Sequence, residues 1–274
     1  MDQELKQKYE TLCGQLKQLG KLVVSFSGGV DSTFLLETAH QVLGDQVTAV
    51  TAAGRSVPHR EIEEAKAFCR GRGIRHIVFS IDELEVSGFA ENPPDRCYHC
   101  KTAILQKVRD AADQVDTIHI AEGSNVDDDG DYRPGMQAVR EAGVISPLKA
   151  AGLTKQDIRM LSKEQGLTTW DKPSFACLAS RFPYGEMITA EKLGMVERAE
   201  DYLLEHGFPQ FRVRMHGSMA RIEVLPEDLE RFLDPTFREE LTTYMKQLGF
   251  NYIALDLEGY RTGSMNAVLQ KKEG

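Results

Sequence analysis

The sequence predicts an α/β fold, with a parallel sheet covered by helices on both faces, followed by a smaller α+β region. Three observations carry this. Short β-branched runs alternate with helix-period segments as far as Leu167. A glycine-rich turn closes the first of these runs and opens the helix after it. Beyond Trp170 the order changes to helix, hairpin, helix and strand.

Taken in order, Leu5, Tyr9, Leu12, Leu16 and Leu19 recur in steps of four and three, which predicts a helix over 2–19. KLVVSF (21–26) reads as a strand. Residues 32–43 read as a helix stopped by Gly44. VTAVTAA (47–53) is a strand, 58–71 a helix, IRHIVFSI (74–81) a strand, 101–112 a helix and TIHIAEG (117–123) a strand. Residues 154–167 form a further helix, with Thr154 and Asp157 at capping-box spacing. Then come a helix near 190–206, the strands FRVRMH (211–216) and MARIEV (219–224) about a Gly217-Ser218 turn, a helical stretch over 226–248 and the strand NYIALDL (251–257). The change of pattern falls within 165–185, giving domains of 1–170 and 171–274.

A net charge of -9 argues against a long nucleic acid held by its phosphates. No apolar run is long enough to span a bilayer, and MDQELKQKYE lacks the apolar core of a signal peptide. These features lead us to expect a cytoplasmic protein with a small-molecule substrate and no membrane partner; a homo-oligomer is also expected.

In parallel sheets ligands bind at the carboxyl ends of the strands. The stretch SFSGGVDS (25–32) lies at the end of the first strand. A kinase-type loop, GxxxxGK[ST], needs a Lys after the glycines, and none is present. Gly28 and Gly29 permit close backbone approach, Ser25, Ser27 and Ser32 supply hydroxyls, and the N–H groups opening the next helix face an anion. Asp31, negative beside a phosphate site, suits a metal ion or a positioning role. A plain βα turn would explain a lone Gly-Gly, but not the full hexad between strand and helix.

This hexad resembles the PP-loop of the ATP pyrophosphatase superfamily, whose sheet is of the adenine nucleotide alpha hydrolase-like kind. Its members cleave ATP between the α- and β-phosphates and adenylate a substrate oxygen. GSNVDDDGDYRPG (123–135), SRFPYGE (180–186) and FRVRMHGSMARIE (211–223) extend the resemblance, over nearly the whole chain, to the LarE family of sulfur-insertion proteins, which serve nickel-pincer nucleotide synthesis. The resemblance implies an AMP-forming sulfur transferase using ATP and Mg2+. A carboxylate of a pyridinium dicarboxylate mononucleotide would be adenylated and converted to a thiocarboxylate. It puts Gly123 and Asn125 beside the nucleotide and Arg133, Ser180 and Arg181 in active-site loops, and the place of Asp127 after the strand 117–123 favours a role there too. By themselves the acidic run 127–129 and isolated arginines read equally as solvated loops.

The best-known members of that family give up the sulfur of a single cysteine. Here Cys97 and Cys100 stand in RCYHCK and Cys177 in KPSFACLASR. Three thiolates with one open position suit an iron–sulfur cluster, and the resemblance to cluster-bearing relatives makes it [4Fe-4S], its open iron holding a sulfide as donor. Three other readings stay open: a structural zinc with His99, a Cys97–Cys100 redox disulfide, and sacrifice of Cys177. Cys13 and Cys69 fall in helical apolar patterns and read as buried.

In FRVRMH, Arg212, Arg214 and His216 share one strand face, which Arg221 and Glu223 of the partner strand join. Arg214 then lies opposite Arg221, at a cost of a few tenths to about 1 kcal/mol that a bound phosphate would reverse. Arg212 and Arg214 are therefore expected phosphate ligands, and Arg133, in a loop that the resemblance assigns to the active site, is expected to join them. The competing reading is a solvated face with an Arg212–Glu223 pair. Glu200 and Glu223 are candidate metal ligands. Two other functions remain: a tRNA-thiolating PP-loop enzyme, which would need a basic surface, and a non-catalytic metal- or nucleotide-binding protein.

Overall fold

The computed structural model describes residues 2–128 and 134–261. Arg133, with Asp129 and Asp131, lies outside the described residues. The chain divides into two units, Met1–Ser87 with Asp95–Phe175, and Gly88–Pro94 with Ala176–Gly274.

The first unit runs α1 (Gln3–Leu19), β1 (Leu22–Ser25), α2 (Val30–Leu43), β2 (Val47–Gly54), α3 (His59–Arg72), β3 (Arg75–Ile81), α4 (Arg96–Gln114), β4 (Ile120–Ala121), α5 (Gly135–Glu141), α6 (Pro147–Ala150) and α7 (Lys155–Glu164). Its four strands lie in the order β3-β2-β1-β4, all parallel. Successive residues of a strand point to opposite faces, and both faces are covered. Leu22 and Val24 join the apolar cluster of Leu12, Leu16, Phe34 and Leu161. Val23, between them, joins that of Leu105, Val108 and Val139 on α4 and α5. Burial on both sides is why β1 reads as an unbroken apolar run.

Three expected elements shift. Helix α2 starts at Val30, inside the glycine motif, because Gly29 is extended and serves as its N-cap. Helix α4 starts at Arg96 rather than near 101, so Cys97 and Cys100 lie in its opening turns. The polar RCYHCK had hidden the helical period, which becomes apolar only at Ile104 and Leu105. The strand expected over 117–123 shrinks to Ile120–Ala121: among the described residues it finds beyond β1 only one isolated bridge, Ala121 to Ile145, and Ile118 is 78% exposed. The capping box of α7 forms as its spacing predicts, the Thr154 side chain accepting from Asp157 N and the Asp157 carboxylate from Thr154 N.

The second unit contains α8 (Ala190–Glu205), β5 (Phe211–His216), β6 (Met219–Val224), α9 (Pro235–Leu248) and β7 (Tyr252–Leu255). Its sheet is mixed: β5 and β6 are antiparallel about Gly217-Ser218, and β7 runs parallel to β6. The helical stretch expected over 226–248 breaks into a 3-10 segment and α9. Asp234 caps Phe237 N, and Pro235 takes the first turn, where its missing N–H costs nothing. Residues 88–94 belong to this unit through Gly185 N to Asn92 O and Ile188 N to Ala90 O. Asn92 is fully buried and its side-chain amide donates to Phe182 O and Pro183 O. Among the described residues no helix is long and apolar enough to cross a membrane.

Candidate active site

A cleft of about 480 Å³ opens in the first unit at the carboxyl ends of β1, β2 and β4. Ser25, Ser27, Gly29, Asp31 and Ser32 form one wall and Gly123, Ser124, Asn125 and Asp127 another. Gly28 has φ +73, a left-handed conformation that favours glycine, while the space around it would admit a methyl group. Helix α2 has no side-chain cap at its start, so its opening N–H groups stay available to an anion. The Ser27 and Ser32 hydroxyls are 3.0 Å apart, and Ser32 Oγ also accepts from Ser27 N at 3.3 Å. These groups form a compact set of donors at the positive end of a helix dipole.

Gly123 is required by space. A Cβ there would lie 2.9 Å from Ser32 N and 3.1 Å from Ser32 Cα. The chain leaving β4 therefore presses backbone to backbone against the first turn of α2. Asn125 follows, with its side-chain amide 3.4 Å from Asp31 Oδ1 and its carbonyl oxygen accepting from Asp127 N. Asp127 in turn accepts from Lys155 N at 2.8 Å. Every predicted nucleotide-site residue except Gly28 thus lines the cleft, with Gly28 directly behind it.

Lys155, Glu122 and Lys172 were not singled out from the sequence. Lys155 Nζ pairs with Asp31 Oδ2 at 2.5 Å in the cleft. A lysine at the first position of a helix opposes the dipole, and that anomaly directly after the capping Thr154 was the legible signal. Glu122, buried, accepts from Ser124 N, Ser124 Oγ and Ser146 Oγ and so fixes the turn that carries Gly123. On α4, Cys97, Lys101 and Ile104 recur at helical steps on one face, as do Cys100 and Ile104. Lys101 and Ile104 line the cleft, so the thiol pair stands one turn from its wall. His99 Nε2 lies 3.4 Å from Asp95 Oδ2. None of the five cysteines, all described, is disulfide-bonded.

Beneath the cleft, Thr51 Oγ1 donates to Phe26 O and meets His76 Nε2 at 2.8 Å. Burial, with a smaller effect of Lys66, pushes the His76 imidazole down to about 4.

In the second unit Arg181 is fully buried. Its guanidinium donates to both oxygens of Glu200 at 2.7 and 2.8 Å, to Ala176 O and Cys177 O, and to Ser180 Oγ. Arg214 bonds both oxygens of Glu223 and donates to Ser180 O. The two arginines thus clamp the turn 176–181 that carries Cys177. Burial alone would raise the Glu200 carboxyl; the charge and hydrogen bonds of Arg181 outweigh it and hold it below the usual range.

The hairpin register is as expected, with Arg214 opposite Arg221 and Arg212 opposite Glu223. The solvated-face reading is overturned, since Arg212, Arg214 and Glu223 are 3%, 7% and 1% exposed. The expected Arg212–Glu223 pair is also replaced, because Glu223 bridges Arg214 and Arg221 and so neutralises the like charges. Arg212 lies over the Tyr260 ring at 5.0 Å, and burial and the nearby Arg181 push it down to about 10. The Glu200 and Glu223 carboxylates are engaged by these arginines. Within the described residues of each unit, no three His, Cys, Asp or Glu side chains group as a metal site. Cys97 and Cys100 belong to the first unit and Cys177 to the second.

A parallel sheet with a lysine-free glycine-serine loop at the start of α2 defines an ATP-dependent enzyme of the PP-loop class. Comparison with known proteins agrees: residues 21–93 match the family model of the queuosine biosynthesis protein QueC. The chain is 38% identical over 270 residues to pyridinium-3,5-bisthiocarboxylic acid mononucleotide synthase of Lactiplantibacillus plantarum, covering 98% of this chain and 97% of that one. It is 41% identical over 267 residues to the uncharacterized protein slr1717 of Synechocystis sp., covering 97% and 100%. The uncharacterized protein MJ0830 of Methanocaldococcus jannaschii is 26% identical over 242 residues, covering 88% and 91%. The chain belongs to the pyridinium-3,5-bisthiocarboxylic acid mononucleotide synthase family, LarE.

Two predictions follow from this geometry. Gly123→Ala forces apart β4 and the first turn of α2, costing about 1–3 kcal/mol by overpacking; a lowered melting temperature together with weakened ATP binding is expected, and wild-type values for both would refute the contact. His76 is neutral when folded but titrates near 6.5 when unfolded. The unfolded chain therefore takes up a proton that the folded chain refuses, and stability falls as pH drops from about 6.5 to about 4. Thermal melts of His76→Gln between pH 7 and 5 should show a smaller fall than wild type; an equal fall would exclude the residue.

Proposed function

We propose that this protein is an ATP-dependent sulfur transferase that converts a carboxylate of a pyridinium dicarboxylate mononucleotide into a thiocarboxylate for nickel-pincer cofactor synthesis. The observation that carries the reading is the lysine-free donor set of the PP-loop at the open end of α2. It suits a bound pyrophosphate group rather than a transferred γ-phosphoryl. The full-length likeness to a named mononucleotide synthase supports the substrate class.

In this reading the substrate carboxylate attacks the α-phosphorus of ATP and pyrophosphate leaves. The Gly29–Ser32 amides and the Ser27 and Ser32 hydroxyls take up the leaving group's charge, by preorganised donors rather than proton transfer. Asp31, with Asn125 beside it, would hold the hydrated Mg2+ of ATP, which would neutralise phosphate charge, and Lys155, the partner of Asp31, would serve the phosphates. Sulfur then attacks the acyl carbon and AMP departs. Arg212, which lies over the Tyr260 ring, and Arg214 would receive the substrate phosphate. Arg181 acts by positioning the Cys177 turn. Glu200 and Glu223 are assigned to their arginine partners instead of a metal.

For the sulfur we propose that Cys97, Cys100 and Cys177 hold a [4Fe-4S] cluster. The chemistry of the donors suits a cluster: two thiols one helical turn apart at the start of α4, and a third on a turn held by arginine. When bound, the cluster would supply a replaceable sulfide at its unligated iron. The thiol pair's place one turn from the cleft wall supports a sulfur source close to the nucleotide.

Turnover should release AMP and pyrophosphate, and Asp31→Asn should abolish it with the melting temperature retained. ADP and phosphate as products, or full activity of the variant, would refute the assignment. For the sulfur source, anaerobically purified protein should contain iron and sulfide that are lost in Cys97→Ala and Cys100→Ala. Intact mass should be unchanged after turnover. A loss of about 34 Da at Cys177, with both alanine variants active, would instead establish sacrifice of that cysteine.

A further inference from the structure

We propose that Lys172 is a positioning residue that sets the Gly28–Gly29 peptide of the PP-loop for pyrophosphate. Its ammonium donates to Gly28 O at 3.2 Å and to Glu61 Oε2 and Glu64 Oε2 at 2.6 Å each. The Lys172 and Glu61 side chains are 14% and 11% exposed, so this is a largely buried contact behind the loop. The inference rests on the ATP reading of the cleft.

A trans peptide points its C=O and N–H in opposite directions, and the described chain has no cis bond. With Gly28 O drawn back onto the ammonium, Gly29 N–H faces the other way, toward Ser27 Oγ at 3.4 Å and the cleft that both residues line. Gly28, at φ +73, leaves this peptide no side chain to hold it. Lys172 supplies that restraint from a distant part of the chain, and a cation on the carbonyl also polarises the N–H toward an anion. Lys172 is itself held in place. Arg159 of α7 donates to Trp170 O and Lys172 O at 2.7 and 2.9 Å, Lys163 stacks on the Trp170 ring, and Arg60 stacks on Phe175. The two glutamates fix the ammonium from α3. The same segment continues five residues on to Cys177, so the residue that orients the pyrophosphate donor sits on the polypeptide leading to the sulfur-bearing turn.

The test is calorimetric titration of the full chain with magnesium pyrophosphate and, separately, with AMP. In Lys172→Met, pyrophosphate affinity should fall about tenfold or more, as expected for loss of a charge-assisted contact, while AMP affinity stays within about twofold. Lys172→Arg should restore most of the loss. Because Lys172→Met also strands two carboxylates, the Glu61→Gln/Glu64→Gln/Lys172→Met variant separates repulsion from orientation. Persistent weak pyrophosphate binding supports the orienting role, and a return to wild-type affinity overturns it. Equal losses for AMP and pyrophosphate, or none, overturn it too. Should a variant unfold, the Gly29 amide resonance in Lys172→Arg, compared with wild type on pyrophosphate titration, reports the same peptide; an unshifted resonance in both refutes the assignment. A wild-type protein that binds neither ATP nor pyrophosphate would refute the nucleotide reading itself.

Discussion

The first turn of α2 must stay open, and much of the first unit is arranged around that constraint. A helix start leaves N–H groups without partners, and proteins usually cover them with a side chain. Here Gly29 offers none. The surroundings instead shape the opening: Gly123 passes close behind Ser32 because it has no Cβ, and Glu122 anchors that turn from a buried position. Substituents at either site would act on the backbone itself.

Charge is arranged in the same spirit. Asp31 stands at the positive end of α2 and meets Lys155, which stands at the positive end of α7. Each side chain relieves the other, since the lysine is unfavourable where it is and the carboxylate would repel an incoming phosphate. The pair is only partly buried, its side chains 23% and 33% exposed.

The second unit solves a different problem with buried ions. Arg181 and Arg214 each take a bidentate glutamate, and each uses a remaining N–H on the backbone of the turn 176–181. Breaking such a pair by removing one partner is costly, about 3–5 kcal/mol, because the other charge is left buried. The Cys177 turn is therefore held by groups that cannot easily be released. Arg212 adds a further buried cation beside them, and burial pushes it down to about 10.

Local chemistry made part of this protein legible in one dimension. The apolar periods of α1 and α2, the continuous run of β1, the Thr154–Asp157 box, the Gly217-Ser218 register and the lysine-free glycine-serine loop all arise from neighbours within a few residues. Those features determined the α/β class and the family, and pointed to the end of β1 where the cleft lies. Tertiary structure alone decided what depends on distant partners. It buried the hairpin's arginine face and gave Glu223 to Arg214 and Arg221, extended α4 back through the thiol pair, and brought Lys155 to Asp31 and Lys172 to Gly28, across more than a hundred residues. The physical reason is that spacing reports which face a side chain shares, whereas burial and ion pairing are set by what the rest of the chain packs against that face.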